Sequence, residues 1–67
     1  MENIGEKIIR LRFENHLTIK EAAQKLAVSP KTYSNYEKGR IKIPLDKFIA
    51  ICILYNVSAD YLLGLKR

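Results

Sequence analysis

The chain is poor in the residues that staple small folds or hold metals. One cysteine, Cys52, stands among 67 residues. That excludes an intramolecular disulfide framework and any multi-cysteine zinc site. Three glycines and two prolines exclude collagen-like and low-complexity chains. The longest apolar run, Phe48 to Tyr55, falls far short of the roughly 20 residues a membrane helix needs. The single histidine, His16, lies far from Cys52 in sequence, so no nucleophile pair suggests itself. No metal-ligand spacing and no glycine-rich phosphate loop is present. Catalytic residues, a metal and a cofactor are therefore not expected. Acids are also scarce, with 7 against 12 basic residues.

What remains is ordinary globular material, 48% hydrophobic and 28% charged, which is not the composition of a disordered tail. A chain this short buries only about 60% of the surface its unfolded form exposes, leaving little room for a deep substrate cleft. Met1-Glu-Asn-Ile-Gly lacks the charge and apolar order of a secretory signal. One soluble cytoplasmic domain spanning residues 1–67 is the expectation, with no membrane partner. The net charge is +5 and the pI near 9.6, which points to a polyanionic partner, most often nucleic acid. The distribution is more telling than the sum. Between Ala22 and Leu45 stand Lys25, Lys31, Lys38, Arg40 and Lys42 against one anion, Glu37.

Every segment reads as helix, and none alternates with period two. A first helix is expected from about Asn3 to Asn15, with Ile4, Ile8 and Leu11 on one face. Asn15-His16 ends it, since both residues tolerate the left-handed conformation. Thr18-Ile-Lys-Glu21 is a capping box that opens a second helix, whose inner face is Ile19, Ala22, Ala23 and Leu26. The adjacent alanines imply the close approach of another backbone. Ser29-Pro30 opens a third helix, and Gly39 closes it. A fourth runs from Leu45 to Tyr55 with Leu45, Phe48, Ile49, Cys52 and Tyr55 inward. Ser58 caps a fifth, Ala59 to Leu63, and Gly64 stops it. The fold class is all-α, a compact bundle of five helices.

Residues 18–38 combine two capped helices with a three-residue turn, the helix-turn-helix pattern. On a wheel of roughly 100° per residue, Tyr33, Tyr36 and Glu37 fall on one side of the third helix. Lys31, Ser34, Asn35 and Lys38 fall on the other, a polar and donor-rich face. Lysine can donate to guanine, asparagine can pair in bidentate fashion with adenine, and serine can contact either. Cys52 and the two tyrosines read as packing residues, with the Tyr36 hydroxyl reaching a phosphate as the sharper alternative.

The segment Leu17-Thr-Ile-Lys-Glu-Ala-Ala-Gln-Lys-Leu-Ala-Val-Ser-Pro-Lys-Thr-Tyr-Ser-Asn-Tyr-Glu-Lys-Gly39 resembles the DNA-binding motif of the phage repressor/Cro family, also called the XRE family. The flanks Ile4–Arg12 and Asn56–Gly64 are similar to it as well. The resemblance implies a lambda-repressor-like domain with its third helix in the major groove of double-stranded DNA. It implies base contacts from Pro30, Lys31, Ser34 and Asn35, and phosphate contacts from Thr18, Lys38, Arg40 and Lys42. It also implies a structural ion pair between Arg12 and Glu37. The family usually has glutamine where Ile19 stands, and glycine at His16 and Ala27. Pro30 offers a base only apolar contact.

A transcriptional regulator, most simply a repressor acting as a homodimer on a palindromic operator, is the expected function. The alternatives are an antitoxin-type autoregulator that also holds a protein toxin, and a protein-interaction module that reads no DNA. The fourth helix is apolar all round, which a monomer this small cannot bury. Ile53 and Leu54 are the expected dimer interface. Ile9 and Phe13 lie similarly off the inner face of the first helix.

Overall fold

The computed structural model describes residues 2–65. Five helices follow one another: α1 (Ile4–Glu14), α2 (Ile19–Lys25), α3 (Pro30–Lys38), α4 (Leu45–Tyr55) and α5 (Ala59–Leu63). There is no strand among the described residues, and no helix is long and apolar enough to cross a membrane.

Four of the five helix starts are capped by a side chain. Thr18 Oγ1 accepts from the Glu21 amide at 3.1 Å while Glu21 Oε1 accepts from the Thr18 amide at 2.9 Å. These bonds to Thr18 hold the Glu21 carboxyl below its ordinary range. Asn3 and Glu6 form the same reciprocal box at the start of α1, and Ser29 and Ser58 cap α3 and α5. The α4 start follows Pro44 and has no side-chain cap.

All five helices end in one way. A residue with positive φ follows each, and the next amide donates back to a carbonyl five residues earlier. The pairs are Leu17 to Arg12, Val28 to Ala23, Arg40 to Asn35, Val57 to Cys52 and Leu65 to Asp60, at 2.9–3.1 Å. This is the Schellman closure. The left-handed residues are His16, Ala27, Gly39, Asn56 and Gly64, so only two of the five are glycine. At Ala27 (φ 58°) the Cβ crowds the following carbonyl, at a cost of about 1–2 kcal/mol.

The core comprises Ile8 and Leu11 of α1, Ala22, Ala23 and Leu26 from α2 and its end, Tyr33 and Tyr36 of α3, Ile51 and Tyr55 of α4, and Leu62 of α5. The paired alanines are fully buried, and α2 and α3 meet there, as short side chains at a crossing allow.

The inward face of α4 differs from the sequence reading. Leu45 is 73% exposed and Ile49 49% exposed, whereas Ile51 is fully buried. Phe48, Ile51 and Tyr55 face the core, with Ala50, Cys52 and Leu54 packed at its edges. The helix is thus rotated about its axis from the expected face. The reason is compositional: from Phe48 to Tyr55 every residue is apolar, so its pattern contains no polar stripe to set the rotation. Leu45, Ile49 and Ile53, spaced by four, form the outward apolar stripe. On α1, Phe13 is exposed beneath the Arg12 guanidinium at 4.7 Å, and Ile9 is half-buried.

Candidate nucleic-acid interface

The third helix is fastened from its inner side at several points. Tyr33 is fully buried, and its hydroxyl lies 2.6 Å from that of Tyr55 on α4. Burial, then the bond to Tyr55, pushes the Tyr33 phenol far above its usual range, and burial raises that of Tyr55. Tyr36 packs edge-on against Tyr33, with ring centroids 6.5 Å apart. Neither ring is on the exposed side. At Gly5, α1 passes so close to α3 that a Cβ would overlap the carbonyl of Glu37.

Arg12 and Glu37 are 25 residues apart and meet side by side. Arg12 Nε donates to Glu37 Oε2 at 2.7 Å and Nη2 donates to Oε1 at 3.3 Å. The side chains are only 11% and 5% exposed. Arg12 Nη1 also donates to the Leu17 carbonyl at 3.1 Å, tying the α1–α2 turn to the same pair. The bond to Glu37 raises the pKa of the guanidinium.

With the inner side occupied, α3 presents Pro30, Lys31 and Lys38 exposed, and Ser34 and Asn35 half-buried. None of these side chains has a hydrogen-bond partner among the described residues. Thr18 is exposed at the start of α2, and its hydroxyl proton remains available. Arg40 and Lys42 are exposed in the loop that leaves α3, and the Arg40 amide is held by the Asn35 carbonyl at 3.0 Å. Ile19 is half-buried and packs against the core.

The cations divide into two groups. Lys7 donates to the Tyr61 carbonyl at 2.7 Å and Lys47 to the Leu26 carbonyl at 2.8 Å, where the ends of α5 and α2 favour positive charge. Arg10 binds Glu2 and the Tyr61 hydroxyl, and Arg12 binds Glu37. Sequence reading missed the roles of Lys7, Lys47 and Gly5, because each depends on a residue distant in the chain. It also missed the Asn3–Glu6 box, which the three-residue spacing could have shown. The second group is Lys20, Lys25, Lys31, Lys38, Arg40 and Lys42, which have no ion-pair or hydrogen-bond partner among the described residues. The acids within that stretch are Glu37, paired with Arg12, and Glu21, which stays charged in its bonds to Thr18 and faces Lys25, so the stretch keeps a net positive charge.

Comparison with known proteins places this geometry. A profile described as helix-turn-helix matches residues 7–62. Two relatives from Bacillus subtilis (strain 168) are similar over nearly the whole chain. The uncharacterized HTH-type transcriptional regulator YobD is 38% identical over 60 residues, 90% of this chain and 54% of its own length. The HTH-type transcriptional regulator ImmR is 39% identical over 62 residues, 92% of this chain and 49% of its own. The chain therefore spans about half the length of the curated relatives it matches. The fold matches the P22 c2 repressor, crystallised with a synthetic operator, at a TM-score of 0.90 and 21% identity, covering 98% of this chain and 100% of that one. It also matches a transcriptional regulator from Listeria innocua at a TM-score of 0.87 and 28% identity, covering 97% and 61% of the two chains. Motif, fold and relatives agree: this chain belongs to the helix-turn-helix family of the phage-repressor type, the XRE family.

Proposed function

We propose that this chain reads double-stranded DNA with α3 in the major groove and acts in a transcriptional regulator, as a repressor. The observation that carries the reading is the polar outward side of α3. It is left without internal partners while every inward group is fastened, and cations without ion-pair partners among the described residues flank it. Lys31, Ser34 and Asn35 are the base-reading set, with Pro30 offering apolar contact to a thymine methyl. Thr18, Lys38, Arg40 and Lys42 hold phosphates. The names of the relatives support a regulatory role, and the fold match to a repressor crystallised on its operator supports the docking mode.

A homodimer on a palindromic site is the finer form of the proposal. Ile53 is 75% exposed and Ile49 lies one turn before it. Leu54 packs against the core, so it contributes less to this interface than Ile53. Two-fold symmetry through α4 would set the recognition helices about 34 Å apart, one turn of DNA.

The test is selection of bound sequences from random duplexes, followed by salt titration on the best site. With about four to five phosphates neutralised per protomer, log K against log salt has a slope of roughly −7 to −9 for a dimer. Asn35→Ala relaxes preference at one base pair, costing about 1–3 kcal/mol on the best site. An unchanged ratio of specific to random binding in Asn35→Ala would refute the base-reading assignment. Absence of duplex binding would leave the protein-interaction module instead.

A further inference from the structure

Apart from the α3 surface, one concave site stands out: an open groove of about 850 Å³ between the start of α1, the loop after α3, the start of α4 and the end of α5. Its volume lies in the range of small-molecule sites, and such sites are mostly apolar with a few polar groups that orient the ligand. Ile41, Leu45, Phe48 and Leu63 supply apolar wall, and three of these, Ile41, Leu45 and Leu63, are exposed.

The charges along the groove are unbalanced. Its one acid, Glu2, is held in two hydrogen bonds by Arg10, at 3.0 and 2.6 Å. Lys7 lines the same groove, is almost fully buried, and makes no direct ion pair among the described residues, though Glu2 feels its charge. One of its three N–H donors reaches the Tyr61 carbonyl, and its ammonium lies beside Gly64, another groove residue. Lys42 is exposed and has no partner among the described residues. Among the described residues, the lining therefore offers two ammonium groups, and its one carboxylate is bonded to Arg10.

We infer that this groove binds a single-tailed carboxylate amphiphile, a free medium-chain fatty acid in chemical class. The tail lies on Ile41, Phe48 and Leu63, and the carboxylate sits between the Lys7 and Lys42 ammonium groups. A peptide helix is a poorer fit. It would need the outward stripe of α4, yet Ile49 and Ile53 are not among the walls of the groove. Because Lys42 is also a phosphate contact in the DNA-binding reading, occupancy would weaken duplex binding; that coupling alone rests on the reading.

The experiment titrates the full chain with sodium octanoate, followed by backbone amide chemical shifts. The expected result is saturable shifts at the groove residues, at Lys7, Ile41–Ile43, Phe48 and Leu63–Gly64. Octanol, with the same tail and no charge, and acetate, with the charge and no tail, each bind at least about tenfold more weakly, as loss of a charge-assisted bond or of the apolar contact requires. Lys42→Gln weakens octanoate binding. Leu63→Gln abolishes it and leaves ligand-free duplex affinity unchanged. Equal binding of octanol and octanoate, or no saturable shift in the groove, overturns the site. In a second arm, saturating octanoate lowers the salt slope of duplex binding by about one per protomer; an unchanged slope overturns the coupling. A protein that binds octanoate but no duplex would defeat the DNA-binding reading and leave the groove assignment standing.

Discussion

Consider the perturbation of the Arg12–Glu37 pair. Replacing Arg12 by Met leaves the Glu37 carboxylate, 5% exposed, without either of its two guanidinium bonds. Breaking a buried pair in this way costs about 3–5 kcal/mol. A single core in a chain of this size rarely supplies more than about 3–5 kcal/mol in total. Arg12→Met should therefore bring the domain to the edge of unfolding at 25 °C. Glu37→Leu, which strands the guanidinium instead, should do nearly the same. The double variant carries no buried charge, and exchange of an entire buried pair for apolar groups is often neutral or stabilising by about 1–4 kcal/mol. The expectation is thus a double variant more stable than either single one, with a coupling energy above about 2 kcal/mol. Urea denaturation followed by far-ultraviolet circular dichroism measures all four proteins, with folded baselines extended by an osmolyte where needed. Singles whose losses simply add in the double variant would refute the argument.

The remaining predictions concern backbone, pH and assembly. Gly5→Ala should destabilise by about 1–3 kcal/mol as an overpacked contact, despite a helix-propensity gain of up to about 1 kcal/mol; an unchanged or raised melting temperature would show that α1 can move off the Glu37 carbonyl. Ala27→Gly should stabilise by about 0.5–1 kcal/mol, the left-handed penalty relieved less the extra chain entropy of glycine, which is about 4 °C by calorimetry. Tyr33 and Tyr55 have phenols raised by burial above the usual value near 10, so their contribution is complete below pH 10 and lost as pH rises above it. Ultraviolet titration should find them ionising with unfolding, and Tyr33→Phe with Tyr55→Phe should flatten the alkaline decline of stability. Ile53→Lys should leave the helical spectrum intact and shift sedimentation at tens of micromolar toward the monomer; a wild-type chain that is monomeric there would remove the proposed interface.

Much of the fold was legible because its signals are local. Thr18 with Glu21, Ser29 with Pro30, Gly39, Ser58 and Gly64 mark starts and stops within three or four residues of their partners, and the helices fall between them as expected. His16 was legible as a left-handed helix end from its residue type, whereas Ala27 was legible as a strained position only through resemblance, since nothing in an alanine announces a positive φ. The rotation of α4 was not legible. A helix with leucine, isoleucine, cysteine and tyrosine on every side carries no preference that its own pattern can express, and the choice of Ile51 over Ile49 is made by tertiary packing in the core. At the candidate site, the polar outward side of α3 was legible from its wheel. The contacts that brace α3 and the helices around it were harder to read: the Gly5 contact to α3 and the Lys7 and Lys47 bonds between the other helices join residues 21 to 54 positions apart.

All the fasteners of α3 grip it from behind. Tyr33, Tyr36, the Glu37 side chain and the Glu37 carbonyl are engaged, while the side chains at 31, 34 and 35 make no hydrogen bond or ion pair among the described residues, and only those of Ser34 and Asn35 are half-buried. Those three positions are therefore free to vary as a set. A library randomised there should be limited by helix propensity, up to about 0.7 kcal/mol per ordinary residue, and at the half-buried positions 34 and 35 by side-chain size, and should yield folded members at high frequency. The domain separates the stability of its frame from the chemistry it displays, so new recognition can be selected on an unchanged scaffold.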